Sequence, residues 1–260
     1  MPIADFQRPA PGGLCLDHVA HFVPDLDAAA RELEALGMVV TPESAHRTQH
    51  GPAGTSNRCV MLEEGYIEIL APTLDTPNAA RVRARMKSFI GVHLCCFGTI
   101  DPQAEHARLA AHGFEPEPMV HLERNLHDGT PVRFKVVHAP PEKMPEGRVQ
   151  YVEHLTADNL WRPEWVNAYR LTAAYVVADD RSAAAARWAR FMGVIPQRDG
   201  DFVELPLARG KVVIGERAAM TRILGEVPAS PALAGYGLSD GKEERVVKLP
   251  GALGGAWAFG

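Results

Sequence analysis

The sequence predicts an α+β fold built from paired βαβββ modules. Three observations predict it. A strand-like apolar run followed by a helix-like stretch occurs three times, at residues 16–38, 92–114 and 171–194. Two or three further strand-like runs follow each copy, and the copies recur about every 75–80 residues. Self-similarity at a fixed spacing indicates that each copy is one supersecondary unit.

The first module opens with "LDHVAHFVPDLDAAARELEALGM" (16–38). The turn "VPDLD" is predicted to start the helix and Gly37 to end it, because aspartate favours the N-cap and glycine the left-handed position after the C-terminus. "RCVMLEEGYIEIL" (58–70) then predicts two strands joined by a tight Glu-Gly turn.

The second module repeats this order. "VHLCCFGTIDPQAEHARLAAHGF" (92–114) has His93 where the first module has His18, and its helix is predicted to end at Gly113. "VRFKVVHAPPEKMPEGRVQYVEHL" (132–155) predicts the same hairpin with a longer, proline-rich insert.

The rest of the chain predicts a third module and a degenerate fourth. The third copy has Thr172 in the histidine position, and "GDFVELPLARGKVVIGE" is its hairpin. The stretch from "PALAGYGLSDG" onward has little room for a helix. We therefore expect a first domain over residues 14–156, a linker over 157–168 and a degenerate second domain over 169–260.

Composition narrows the function classes. The 260 residues carry a net charge of −5, which argues against nucleic-acid binding. The sequence contains no apolar run of the roughly 18–20 residues that a membrane span requires, and its start lacks the pattern of a secretory signal. We expect a cytoplasmic protein, a monomer or homodimer, whose partner is a small-molecule substrate. Four cysteines without paired spacing are expected to be reduced and buried: Cys15, Cys59, Cys95 and Cys96.

Strand side chains alternate between the two faces of a sheet. This alternation places His18 and Glu68 in the first module, and His93 and Glu153 in the second, each among apolar neighbours. An unpaired carboxylate in such surroundings is costly. Two histidines and two glutamates that converge would lower this cost by binding one divalent cation, and their donor atoms suit Zn, Ni, Co, Mn or Fe(II).

These stretches resemble the vicinal oxygen chelate superfamily, in particular its glyoxalase-like domain proteins. The resemblance covers residues 14–156 well and the rest more weakly, and it rests on "LDHVAHFVPDLDAAARELEALGM", "GTSNR", "EEGYIEIL", "GVHLCCFGTID" and "VEHLTADNLWRPEW". In that superfamily two βαβββ modules form cup-shaped mixed sheets around a metal ion, whose ligands come from the first and last strands of each module. The resemblance therefore implies His18, Glu68, His93 and Glu153 as metal ligands.

The resemblance also implies a chemistry. Superfamily metals chelate two neighbouring oxygens of a substrate and polarise them. An acid at Glu68 favours proton transfer next to a carbonyl, by a lyase or isomerase in which Glu68 or Glu153 is the catalytic base. Glu68 is alternatively only a ligand, or the partner of a nearby arginine. His154 would replace Glu153 if a bulge shifts the strand register.

Two other functions are alternatives. An extradiol-type dioxygenase would hold Fe(II) with His18, His93 and Glu153, a two-histidine, one-carboxylate set. A metal-free binding protein, like the superfamily relatives that sequester antibiotics, would share the fold without the chemistry.

Four residues are candidates for binding the substrate. His50 and His127 lie in glycine-bearing segments, and Arg58 and Arg133 begin hairpin strands, where they would bind an anionic group. For both arginines a surface ion pair is an equal alternative. The remaining histidines are expected on outer faces or in loops; they include His21 and His46.

Overall fold

Eight strands from the first two modules close into a barrel. The computed structural model describes residues 5, 7–242, 245–249 and 251–259. The barrel strands are β1 (Cys15–Phe22), β2 (Ser44–Thr48), β3 (Gly51–Glu64), β4 (Tyr66–Pro72), β5 (Gly91–Gly98), β6 (Val120–Asn125), β7 (Pro131–His138) and β8 (Arg148–His154). Their order around the ring is β4-β1-β5-β8-β7-β6-β2-β3, and β3 pairs again with β4. The predicted α+β fold with mixed sheets is confirmed, since β1–β4 and β5–β8 are parallel and the other barrel pairs antiparallel.

Helices follow the first strand of each module, where the sequence predicts them. They are α1 (Leu26–Ala35) and α3 (Pro102–Ala111), with α2 (Pro77–Met86) between the modules. Asp25 caps α1 and Asp101 caps α3. Each carboxylate accepts a 2.9 Å hydrogen bond from the backbone N–H three residues later in the chain. Gly37 and Gly113 follow these helices with φ of 85° and 77°, as expected for left-handed termini. Helix α2 is not predicted from the sequence.

The remaining strands form a second group beside the barrel. They are arranged β10-β11-β12-β9-β13-β15-β14, and the first residues of β9 also pair with β3. The elements are α4 (Ala157–Leu160), β9 (Val166–Val177), α5 (Arg181–Met192), β10 (Gln197–Asp199), β11 (Phe202–Pro206), β12 (Lys211–Gly215), α6 (Arg217–Leu224), β13 (Ala232–Ser239), β14 (Arg245–Lys248) and β15 (Ala256–Phe259). The predicted linker at 157–168 holds α4, a 3-10 turn and the start of β9. The predicted domain boundaries stay a prediction.

Both faces of the central barrel strands are buried. One apolar cluster lies inside the barrel, and a larger one lies between its outer face, the helices and the second group of strands. All eight residues of β1 and all eight of β5 are therefore buried. Along these strands the apolar pattern alone does not distinguish the inner face from the outer one.

Two further sequence expectations concern the cysteines and the membrane. Cys15, Cys59, Cys95 and Cys96 are free thiols and buried, as predicted. Within the described part of the chain, no helix is long and apolar enough to cross a membrane. The cytoplasmic location stays a prediction.

His21 is buried between the barrel and the second group of strands, not on a solvated face as expected. Its Nδ1 lies 3.1 Å from the Leu253 carbonyl oxygen, and its Nε2 lies 3.1 Å from the Tyr236 hydroxyl. A neutral ring that donates from Nδ1 and accepts at Nε2 satisfies both partners. Burial lowers the pKa of His21 to about 4, although the hydrogen bond to Leu253 opposes the shift.

We expect this histidine to make the fold sensitive to acid. The unfolded chain takes up a proton near the ordinary histidine pKa of about 6.5, whereas the folded chain does so only near 4. The free energy of unfolding should therefore fall as the pH drops from about 6.5 to 4, by up to about 3 kcal/mol from this residue. Urea unfolding across this range should show a flatter pH dependence in His21→Gln than in the parent. Exposed His127→Gln is the control, and an unchanged slope in His21→Gln would contradict the expectation.

Candidate active site in the barrel cavity

The barrel encloses a cavity of about 360 Å³ that opens at one end. Exposed residues of the β2–β3 turn and of α2, including His50 and Arg81, lie at its rim. Buried Trp161 packs beneath the cavity residue Tyr66, with ring centroids 5.7 Å apart. The walls combine apolar and polar side chains. The polar ones include His18, His46, Thr55, Asn57, Glu68, Arg124, Arg148 and Gln150.

Glu68 on β4 lies between two histidines. Its Oε2 is 3.9 Å from Nε2 of His18 on β1, and its Oε1 is 3.8 Å from Nε2 of His46 on β2. The side-chain amide of Asn57 donates a 2.5 Å hydrogen bond to Oε1. Burial lowers the pKa of His46 to about 4, opposed by Glu68 and reinforced by Arg124. A buried carboxylate without a lysine or arginine partner among the described residues is thus held between two imidazoles.

Asp17 fixes the orientation of His18. A β-bulge interrupts the pairing of β1 with β5 between Leu16 and His18, so Asp17 and His18 both reach the barrel interior. The Asp17 carboxylate lies 2.6 Å from Nδ1 of His18 and 2.9 Å from Nε2 of His154 on β8. Burial raises the pKa of Asp17, but His154 and His18 outweigh it and hold this pKa well below its ordinary value. With a proton on Nδ1, His18 presents its Nε2 lone pair to Glu68.

The donor atoms around Glu68 have the chemistry that a divalent cation needs. Two imidazole nitrogens and one carboxylate suit Zn, Ni, Co, Mn or Fe(II). The second ring nitrogen of each histidine already has a partner, Asp17 for His18 and, at 3.1 Å, the Thr55 hydroxyl for His46. Such outer contacts orient imidazole ligands at metal centres. His18, His46 and Glu68 therefore fit a metal in donor type.

A second cluster of donor atoms lies deeper. One atom each of Asp17, His18 and Cys96 lies within 4.8 Å of the others. The hydrogen bond between Asp17 and His18 accounts for their approach, and burial raises the pKa of the Cys96 thiol well above its ordinary value. We therefore assign this cluster to the positioning of His18.

Comparison with known proteins identifies the family. The family model described as the glyoxalase-like domain matches residues 16–192, more than half of the chain. The chain belongs to this family. No curated protein sequence matches it.

Two solved structures share the fold of this glyoxalase-like protein, and a third aligns with part of it. A hypothetical protein from Staphylococcus aureus matches with a TM-score of 0.72 at 14% identity, over 95% of this chain and 98% of that one. A variant of 4-hydroxymandelate synthase from Streptomyces coelicolor matches with a TM-score of 0.53 at 14% identity, over 88% and 71%. A variant of methylmalonyl-CoA epimerase from the same organism matches with a TM-score of 0.40 at 20% identity, over 54% and 97%. The family match places the chain among the glyoxalase-like domain proteins of the vicinal oxygen chelate superfamily, as the resemblance predicts.

The four ligands predicted from the glyoxalase-like resemblance do not converge. His18 and Glu68 line the cavity, but His93 does not. Its ring stacks on Phe89 with centroids 4.1 Å apart, and its Nε2 lies 2.9 Å from the Phe89 carbonyl oxygen. Leu94 occupies the cavity wall in its place. The prediction that His93 joins this site is a wrong choice of strand face, made because both faces of β5 are apolar.

Glu153 likewise lies outside the cavity. It forms a 2.9 Å ion pair with Lys135, the residue opposite it on β7. Gln150 and Val152 face the cavity instead. His154 also faces inward, but it contacts Asp17 rather than the cavity. Placing Glu153 beside His18 is therefore a second wrong choice of face, and neither the four-ligand set nor the three-ligand iron set is assembled.

The predicted substrate-binding residues are scattered. Only His50 lines the cavity, at its rim. Arg58 forms an ion pair with Asp27 at 2.6 Å, and Arg133 forms one with Glu123 at 2.7 Å. Both are the surface ion pairs that the sequence offered as the alternative to substrate binding. His127 is exposed and lies near Trp165, with ring centroids 5.9 Å apart.

The polar cavity residues that sequence reasoning missed had one usable signal. Arg124 shares one face of β6 with the apolar residues Val120 and Leu122, and all three line the cavity. An arginine on the apolar face of a strand indicates a buried guanidinium. His46 had no such signal, because β2 is short and partly exposed.

Proposed function

We propose that the barrel cavity is the active site of a metal-assisted enzyme, a lyase or isomerase, that moves a proton next to a carbonyl of a small oxygen-chelating substrate. One observation carries the proposal: the Glu68 carboxylate is buried in the cavity wall between the Nε2 atoms of His18 and His46. Membership in the glyoxalase-like family supports it. The enzyme is proposed to be cytoplasmic, as a monomer or homodimer.

Glu68 is the proposed base. It is 6% exposed, and no lysine or arginine of the described chain neutralises it directly. The Asn57 amide holds Oε1, so Oε2 is the atom that takes the proton. A buried carboxylate positioned in the cavity wall is suited to this transfer.

His18 and His46 complete the site. Asp17 keeps the proton of His18 on Nδ1, and the remaining lone pair on Nε2 points toward Glu68. A divalent cation would be held by His18, His46 and Glu68, and when bound it would polarise the substrate oxygens as a Lewis acid. The identity of the cation is part of the test.

The first test measures metal content and proton exchange together. Elemental analysis of protein purified without chelator should give about one equivalent of a divalent metal. The enzyme should exchange the C–H next to the carbonyl of epimerisable 2-substituted acids or hemithioacetals for deuterium, followed by proton NMR in D2O. Glu68→Gln should lower the exchange rate by about 10²–10⁴-fold.

The variants that separate this site from the four-ligand prediction are matched pairs. His46→Gln should lose the metal whereas His93→Gln keeps it, and Glu68→Gln should lose exchange whereas Glu153→Gln keeps it. Metal retained in His46→Gln but lost in His93→Gln would overturn the assignment. Exchange unaffected by Glu68→Gln would refute its role as the base.

A further inference from the structure

Two arginine side chains line the cavity without a carboxylate partner. Arg124 on β6 is 1% exposed, and Arg148 begins β8. Within the described residues, neither guanidinium forms an ion pair. Other arginines of this chain, such as Arg58 and Arg133, are paired with carboxylates.

The contacts of Arg124 are with neutral groups. Its Nη1 donates to the side-chain oxygen of Asn57 at 2.9 Å, and its Nη2 lies 3.6 Å from the Cys59 sulfur. Its Nε is buried and has no hydrogen-bond partner among the described residues. Burial keeps the Cys59 thiol protonated by raising its pKa to about 12, so this sulfur does not compensate the guanidinium.

Arg148 is held in the same way. Its Nε donates to the Gln150 side chain at 2.9 Å, and its Nη1 donates to the Asn78 side chain at 3.1 Å. These two hydrogen bonds orient the side chain and leave Nη2 available to a ligand. Both arginines are thus fixed by neutral partners before any ligand arrives.

Among the side chains that line the cavity, arginines outnumber carboxylates. Its lining includes two carboxylates, Glu68 and Glu117. Glu117 is already paired with Arg81 at 3.1 Å, which leaves Glu68 alone against Arg124 and Arg148. A divalent cation at Glu68 would increase the positive excess. Uncompensated buried charge is costly, and a bound anion would remove that cost.

We infer that the substrate is a small carboxylic acid with an apolar body, and that its carboxylate binds Arg124 and Arg148. Guanidinium forks bind carboxylates through paired, charge-assisted hydrogen bonds. The inference rests on the proposed function only for the position of the C–H bond that reacts. Because Asn57 contacts both Arg124 and Glu68, an acid group at Arg124 lies one amide away from the base. Apolar wall residues receive the body of the acid, namely Leu70, Leu94, Phe134, Val136 and Val152.

The experiment compares acids with their neutral amides. Benzoate, phenylacetate and 3-phenylpropionate, each beside its amide, are titrated into the metal-loaded protein, and Kd is measured by calorimetry or NMR. At least one acid should bind about tenfold or more tightly than its amide, because a charge-assisted pair contributes more than a neutral hydrogen bond. Arg124→Gln and Arg148→Gln should each raise the Kd of that acid by about 10–100-fold and leave the Kd of the amide unchanged.

Controls separate the charge effect from folding and from the proposed chemistry. Arg170→Gln changes an exposed arginine that pairs with Glu63 and should bind like the parent. Arg124→Lys is the substitute if Arg124→Gln does not fold. It keeps the positive charge, so its affinity for the acid should be lower than that of the parent and higher than that expected for Arg124→Gln. The titration is repeated with the metal-free parent, which has no cation to support the proposed reaction; an acid that binds there more tightly than its amide shows that the binding inference survives if the proposed reaction fails. Amides that bind as well as acids, or no acid binding up to about 10 mM, would overturn the inference.

Discussion

Replacing Arg187 by alanine is expected to lower the free energy of unfolding by about 3–5 kcal/mol. Arg187 on α5 forms an ion pair with Glu146, which precedes β8, and the Glu146 side chain is 0% exposed. The Glu146 backbone oxygen also accepts a 2.9 Å hydrogen bond from Leu233 N–H of β13. The substitution would leave a buried carboxylate unpaired where the barrel meets α5 and β13. Urea unfolding measures the loss.

Two variants test the reason for this loss. Arg190→Ala, at an exposed position on the same helix, should stay within about 0.5 kcal/mol of the parent. The double substitution Glu146→Leu with Arg187→Met should regain much of the stability, since apolar residues of similar volume often replace buried ion pairs at little cost. A loss in Arg187→Ala no larger than in Arg190→Ala would show that the pair contributes nothing.

Local signals explain why much of the fold was predictable. The helix starts at Asp25 and Asp101 and the stops at Gly37 and Gly113 depend on interactions within a few residues, which the sequence shows directly. Helix α2 was missed although Thr76 caps it, accepting a hydrogen bond from Ala79 N–H. It follows the last strand of a module, where the repeat predicts no element.

Regular alternation placed part of the candidate site. Glu68 shares a face of β4 with Tyr66 and Leu70, and all three line the cavity. On β5 and β8 the outer face packs against other parts of the chain, so apolar neighbours such as Cys95, Phe97 and Tyr151 do not mark the barrel interior. Deciding between the two faces requires knowing what packs outside the barrel, and that depends on residues distant in sequence.

Asp17 shows a different reason for failure. Regular alternation puts Asp17 on the face opposite His18, and only the bulge in β1 turns both toward the barrel interior. The bulge depends on the pairing of β1 with β5, about 80 residues away in sequence. Nothing within "LDHVAHF" predicts the bulge. The sequence alone therefore could not identify Asp17 as the residue that orients His18.

Substituting Asp17 by asparagine is expected to weaken metal binding about 10–100-fold and to slow proton exchange by about 10²–10⁴-fold. The carboxylate accepts hydrogen bonds from Nδ1 of His18 and Nε2 of His154. An asparagine amide offers only one acceptor and adds a donor. If its nitrogen faces His18, the imidazole proton moves to Nε2, and the lone pair directed toward Glu68 is lost.

Imidazole nitrogen NMR can distinguish this tautomer change from a general loss of structure. The parent should show His18 protonated at Nδ1, and Asp17→Asn should show it protonated at Nε2, with circular dichroism reporting whether the fold persists. His154→Gln leaves the Asp17 carboxylate free to hold His18, so it should keep the parent tautomer and lose less metal affinity. An Asp17→Asn protein with the parent tautomer and parent metal affinity would show that the Asp17 contact does not set the state of His18. The same variant with the changed tautomer and unchanged exchange would show that the lone pair on Nε2 takes no part in the reaction.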